Sequence, residues 1–263
     1  MPIIFALLFL VVNIHAKEYY AKAEPYEIFT VSSNVFGEVI YADLASQGKV
    51  LGKKGYLQID DTLDRAELQS VENKIVALNK TLEYNRQMEL NYRQMVEMKQ
   101  SNFDRIKDLA IKSSVEKDRE YFDVVSSRNA LLGVQKEIES LNISLGDLKL
   151  RRTQLRKSIN DKHLSAPGRV LYQLMVKPSA VVNPGTPLAQ IADIRKAKLT
   201  LYLSAEEAQS IHKKKIYLDG KMTTYTIDRL WKIADPSKLS SYRAEILISS
   251  PAQFSHLVKV EFK

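Results

Sequence analysis

The side chains able to do chemistry in this chain of 263 residues are few and scattered. There is no cysteine, so thiol nucleophiles, thiolate metal centres and disulfides are excluded. His163 and His212 stand alone beside basic residues, and His256 stands alone near the last residues. None has a second ligand at the spacing a metal site needs, so no metal and no cofactor is expected. Met88, Met95 and Met98 recur at helical spacing, and their thioethers are soft metal ligands, but the same spacing serves packing along a helix. No set of polar groups converges as catalysis requires. These residues point to a protein that works by contact and not by reaction.

The charge balance narrows the contacts. Lys and Arg number 39 against 31 Asp and Glu, a net charge of +8. The excess includes the runs Lys149 to Lys157 and Lys213-Lys214-Lys215. These read as a solvated helix face and a loop, or as a surface for an acidic partner or an anionic membrane. The apolar run Ile3 to Val12 is too short to span a bilayer, and small Ala16 precedes Lys17. Residues 1–16 therefore read as a secretory signal, with a retained anchor as the alternative because no Lys or Arg precedes the run. An exported chain has its place in the periplasm, which makes nucleic acid an unsuitable partner.

The elements that would position any contact are visible in the breaker residues. No proline falls between Pro25 and Pro167 and no glycine between Gly55 and Gly133. Inside that block a heptad holds through Leu68, Ile75, Leu82, Glu89, Val96 and Phe103, with companions Val71, Leu78, Asn85, Tyr92, Lys99 and Ile106. It resumes through Val124, Leu131, Ile138, Leu145, Arg152 and Ile159, with Ser127, Val134, Leu141, Leu148 and Leu155. A seam sustained this long is a coiled coil. The pattern breaks at Ala110 to Ser114, between two arms of nearly equal length, residues 62–110 and 114–162. Equal arms about a short turn predict an antiparallel hairpin over 62–162, each arm about 70 Å long; two separate coiled coils in an oligomer are the alternative. A turn centred on Lys112 puts Glu72 opposite Arg152, the charged residue of the second seam, as a pair that sets register. It also brings Glu89 to Gln135, which can donate a hydrogen bond.

Both flanks of the hairpin follow one plan. Gly37-Glu38-Val39, Gln47-Gly48 and Leu57-Gln58-Ile59-Asp60 precede it; Gly168-Arg169-Val170, Pro184-Gly185 and Leu188 to Asp193 follow it. Each is a Gly-x-Val strand, a glycine turn and an apolar strand ending in Asp, as in a single β domain split by an insertion. Leu164-Ser165-Ala166-Pro167-Gly168-Arg169-Val170 is similar to the re-entry motif of the HlyD-like periplasmic adaptors, or membrane fusion proteins, and the order of the parts over residues 30–263 resembles that family. The resemblance implies an α+β fold: a lipoyl-like β domain in two halves, 30–61 and 163–196, split by the coiled-coil hairpin and followed by a small β-barrel domain, 197–263. Residues 17–29 are an N-terminal extension, leaving little chain for the membrane-proximal domain that many members carry.

The resemblance also implies a role and a site. Family adaptors bridge an inner-membrane transporter and an outer-membrane channel as a homo-oligomer, commonly a hexamer. Those that dock on a channel carry at the hairpin tip an Arg, a Leu four residues later and a Ser seven beyond that. Arg105 and Leu109 match; the serine is Ser114, or Ser113, so the turn is two residues short. An efflux adaptor is the function implied. The alternatives are an adaptor of an ABC-type exporter or secretion system, and a coiled-coil structural protein of the envelope.

Overall fold

The computed structural model describes residues 17–263 apart from Ser237 and Leu239. The expected signal, residues 1–16, lies outside the described residues. In chain order the elements are β1 (Glu18–Ser32), β2 (Gly37–Ala42), β3 (Leu57–Ile59), α1 (Thr62–Ile106) and α2 (Ser114–Asp161). Then come β4 (His163–Leu164), β5 (Val170–Leu174), β6 (Val181–Val182), β7 (Pro187–Leu203) and α3 (Ala205–Ser210). The last are β8 (Ile216–Leu218), β9 (Lys221–Met222), β10 (Ile227–Ala234), β11 (Tyr242–Ser249) and β12 (Leu257–Phe262). The described residues divide into a β unit, residues 17–33, 41–57 and 165–263, and a hairpin unit, residues 34–40 and 58–164. No helix among the described residues is long and apolar enough to cross a membrane.

The hairpin unit is the heptad made solid. Val71, Ile75 and Leu82 of α1 are buried in one cluster with Val134, Ile138, Leu141, Leu145 and Leu155 of α2. Seam residues face each other, so the polar residues beside the seam meet in pairs on its two edges. On one edge Arg151 forks onto both carboxylate oxygens of Glu67 at 2.6 Å; on the other Arg156 reaches Glu72 at 2.7 Å and Arg128 reaches Gln100 at 2.7 Å. Gln135 Nε2 donates to Glu89 Oε1 at 2.9 Å, the bond the expected register calls for.

The Glu72–Arg152 pair needs correction. Glu72 bonds Arg156, one turn further along α2. Arg152 occupies a seam position and Glu72 an edge position, and an edge meets an edge. The two edge pairs, Glu67–Arg151 and Glu72–Arg156, straddle the seam, and the antiparallel register midway between them puts Arg152 level with Val71. Arg152 is half-buried and has no ion pair among the described residues. A double-mutant cycle on melting should therefore give Glu72 and Arg156 a coupling of about 0.2–1 kcal/mol, as for other solvent-facing pairs, and Glu72 and Arg152 none. Coupling confined to the 72–152 pair would move the register by a turn.

The foot of the hairpin is pinned at both chain ends. Asp61, buried at the start of α1, has its Oδ2 2.6 Å from Arg65 Nε and 2.8 Å from His163 Nε2. Asp64 accepts from Ser158 Oγ at 2.5 Å and pairs with Lys162 at 3.1 Å. Burial pushes the Asp61 carboxyl up, but His163 and Arg65 outweigh it and hold the group below its ordinary range. His163, isolated in the sequence, is thus half of a closing contact.

The β unit has its sheet in the order β10-β11-β7-β1-β12-β8-β9, with β5 also on β7. β1 pairs antiparallel with β12 over Glu18 to Lys22 and with β7 from Ala23 onward, bulging after Pro25, where the chain lacks a donor. β7 has no glycine or proline after Pro187 and runs unbroken to Leu203. The expected boundaries at 29/30 and 196/197 fall inside β1 and β7. Leu199, Leu201, Leu203, Ile246, Val260 and Ala23 alternate inward to make its core. Segments from either side of the hairpin interlock: Gly168 N donates to Leu51 O at 2.9 Å, Leu51 N to Arg169 O at 2.7 Å and Gly48 N to Leu171 O at 2.7 Å. Gly48 and Gly168 take positive φ of 76° and 77°, which glycine adopts without strain.

One buried acid sets a pH dependence. Asp193 Oδ2 is 2.5 Å from Arg195 Nη2, and Arg169 lies 3.9 Å away. The Arg195 guanidinium holds its carboxyl down at about 2 against burial. A depressed native value means that its stabilisation is whole above the ordinary aspartate value, 3.8, and is lost as pH falls towards about 2. Melting temperature followed through that window should fall less steeply in Asp193→Asn than in the parent; parallel slopes would show that the pair carries no native-state preference.

Candidate functional site: the hairpin tip

α1 ends at Ile106, where its seam ends, and Leu109 N bonds back to Ile106 O at 3.0 Å. The return arm starts at a capping box. Ser113 Oγ accepts from Glu116 N at 3.3 Å, and Glu116 Oε2 accepts from Ser113 N at 3.0 Å. Those bonds and the Lys112 ammonium keep Glu116 ionised by lowering its carboxyl below the usual range. Just below the turn the Phe103 and Tyr121 rings meet at 5.6 Å and bring the arms together.

The tip residues expected from sequence share this end but not one state. Arg105 is exposed and has no ion pair among the described residues, so its guanidinium is free for a partner. Its neighbour Asp104 is occupied by Lys107 at 2.9 Å and by Gln100 at 3.2 Å. Leu109 is 44 % exposed, large for an unpartnered leucine. Ser113 caps α2, so its hydroxyl is committed; Ser114, the first helical residue, is exposed and uncommitted. The sequence reading passed over Ile111, 90 % exposed, and Val115, 74 % exposed. Their signal was present: two β-branched apolar residues outside either heptad and beside the break. Leu109, Ile111 and Val115 make an apolar cap on a charged hairpin, and the turn leaves Ile111 and Val115 largely uncovered. Such a cap is built to be buried by something else.

Met88, Met95 and Met98 lie exposed along α1. No cluster of metal-binding His, Asp or Glu occurs among the described residues. His212 is exposed, and His256 Nδ1 bonds Gln253 O at 2.7 Å.

The backbone has clear counterparts among solved structures. It matches the membrane fusion protein Spr0693 from Streptococcus pneumoniae R6 with a TM-score of 0.63 at 9% identity, over 94% of this chain and 99% of that one. The chain has the membrane fusion protein fold. MacA from Actinobacillus actinomycetemcomitans matches at 0.62 and 14% identity, over 94% of this chain and 79% of MacA. A MacA–MexA chimera containing the Pseudomonas aeruginosa MexA α-hairpin domain matches at 0.54 and 14% identity, over 94% and 82% of the two chains. No family profile matches the sequence, and no curated relative does. The likeness is carried by the backbone: a membrane fusion fold can be kept by heptads, turns and alternation while side chains change.

Proposed function

We propose that this chain is a periplasmic adaptor that joins an inner-membrane transporter to an outer-membrane channel for efflux, meeting the channel end-on through the hairpin tip. The exposed cap of Leu109, Ile111 and Val115 carries this reading. In it the apolar cap is buried on a helical end of the channel, while Arg105 and Ser114 supply hydrogen bonds at the rim, as interfaces commonly divide the work. The flanks that interlock through Gly48, Leu51 and Gly168 form a lipoyl-like domain split by the hairpin, and the strands from Lys198 onward, with the start of β1, form a small β-barrel. The lipoyl-like scaffold bears no cofactor, because the hairpin replaces the turn that would carry one. Several copies, six by family likeness, surround the conduit; two slender arms with exposed apolar side chains on their outer faces suit side-by-side packing. The test is purification of the tagged protein from cross-linked envelopes. Recovery of one polytopic inner-membrane protein and one outer-membrane protein supports the bridge. Recovery of self-adducts alone would replace it with a structural envelope protein.

A further inference from the structure

A basic surface lies at the end of the β unit where the described chain enters. Glu18, first in β1, pairs with Glu261 of β12, and Phe262 pairs with Ile216, first in β8. Lys215 N donates to Lys263 O at 2.7 Å and Lys263 N to Lys215 O at 3.1 Å. α3 follows the last residue of β7, and Lys17 Nζ reaches Glu207 of α3 at 3.1 Å. Lys17, His212, Lys213, Lys214, Lys215 and Lys263 therefore share one end of the unit, all exposed.

The acids at this end are mostly spoken for. Lys17 holds Glu207, Lys259 holds Glu18 at 2.5 Å, and Lys259 and Lys263 hold Glu261 at 2.8 and 2.5 Å. Glu206 has no ion pair among the described residues. Lys213, Lys214 and Lys215 have no carboxylate within ion-pair distance among them either. Three adjacent ammonium groups facing water without a counter-charge create a positive field that a negative surface would neutralise.

We infer that this end of the β unit docks on anionic phospholipid headgroups. A lipid surface is favoured over an acidic protein on two grounds. The apolar run Ile3 to Val12 leads into this end through Lys17. Retained, the run brings the lysines to the bilayer; removed before Lys17, it leaves an extra α-amino charge beside them. The surface is also made of lysines, compact hydrated charges on flexible stems, which suit a diffuse layer of charge better than a fixed fork of carboxylate oxygens. The inference is independent of tip docking.

The test is flotation of the protein, in the form isolated from the envelope, with vesicles of phosphatidylcholine alone and of phosphatidylcholine with phosphatidylglycerol. Each lysine at an anionic surface contributes about fivefold in affinity. Replacing Lys213, Lys214 and Lys215 together by Gln should weaken binding to the anionic vesicles about a hundredfold, and raised salt should mimic the loss. The three positions are exposed, so the melting temperature should hold, and the matching triple replacement by Arg should retain binding. Equal flotation with both vesicle types would assign any attachment to the apolar run and overturn the inference. So would anionic binding untouched by the Gln triple, or no binding to either vesicle; the last would turn the lysines towards an acidic protein.

Discussion

Replacing Leu109 and Ile111 together by aspartate is expected to abolish export while leaving the melting temperature of the protein unchanged. Both side chains project from the turn, and no residue of the hairpin packs over Ile111. Burying two such side chains on a partner is worth about 1.5–3 kcal/mol each. Their loss alone weakens docking by two orders of magnitude or more, and the two new carboxylates add a desolvation cost at the contact. A cell that depends on the pump should become as sensitive to its substrates as one lacking the gene. A lesser loss is expected from Arg105→Ala and Ser114→Ala, since rim hydrogen bonds contribute about 0.5–1.5 kcal/mol each. Ser113→Ala acts differently: it removes a helix cap and should lower hairpin stability by about 0.5–2 kcal/mol. Growth unaffected by the double aspartate variant would remove the tip from the account.

Leu145→Ala is expected to cost about 2–5 kcal/mol of hairpin stability, among the largest single losses at the seam positions. Leu145 is one of the deepest side chains of the seam, 3 % exposed, and sits among Leu78, Leu82, Leu141 and Leu148. A slender two-helix unit has no second layer to close over a cavity. Helix content should melt earlier, and the signal to follow is the far-ultraviolet helical band, because the β unit contributes little to it. Leu150→Ala on the outer face of the same helix is the control, with an expected change within about 0.5 kcal/mol. Equal losses at 145 and 150 would mean that the arms do not meet along the heptad seam.

The hairpin was the most legible part because a heptad is a local record of a long-range contact. The seam named the faces that meet and located the turn, and Gln135 duly bonds Glu89. What the heptad did not separate was seam from edge. Glu72 was set against a seam arginine, whereas its partner is the edge residue Arg156. The second arm begins at Ser114, as its register implies, and Ser113-x-x-Glu116 is the capping box that starts it.

The β unit was harder to divide. Turns are marked by glycine and proline, but β1 and β7 pass through the expected domain boundaries without either residue interrupting pairing for more than a bulge. Continuous strands leave no mark in composition where they change neighbours. The Asp61–His163 contact was out of reach for another reason: the two residues stand at opposite ends of the hairpin sequence, and only its closure brings them together. The apolar cap was legible in principle. Ile111 and Val115 are hydrophobic residues that belong to no seam, and they lie outside the family motif at Arg105, Leu109 and the serines.

A photo-cross-linking side chain placed at position 111 in living cells tests the proposed contact of the tip with an outer-membrane channel. End-on docking should give one main adduct, joining this protein to a single outer-membrane protein, and no such adduct when the probe stands at Ile143, exposed midway along α2. Adducts with an outer-membrane protein from position 143 but not from position 111, or none from either while the protein still supports export, would contradict it.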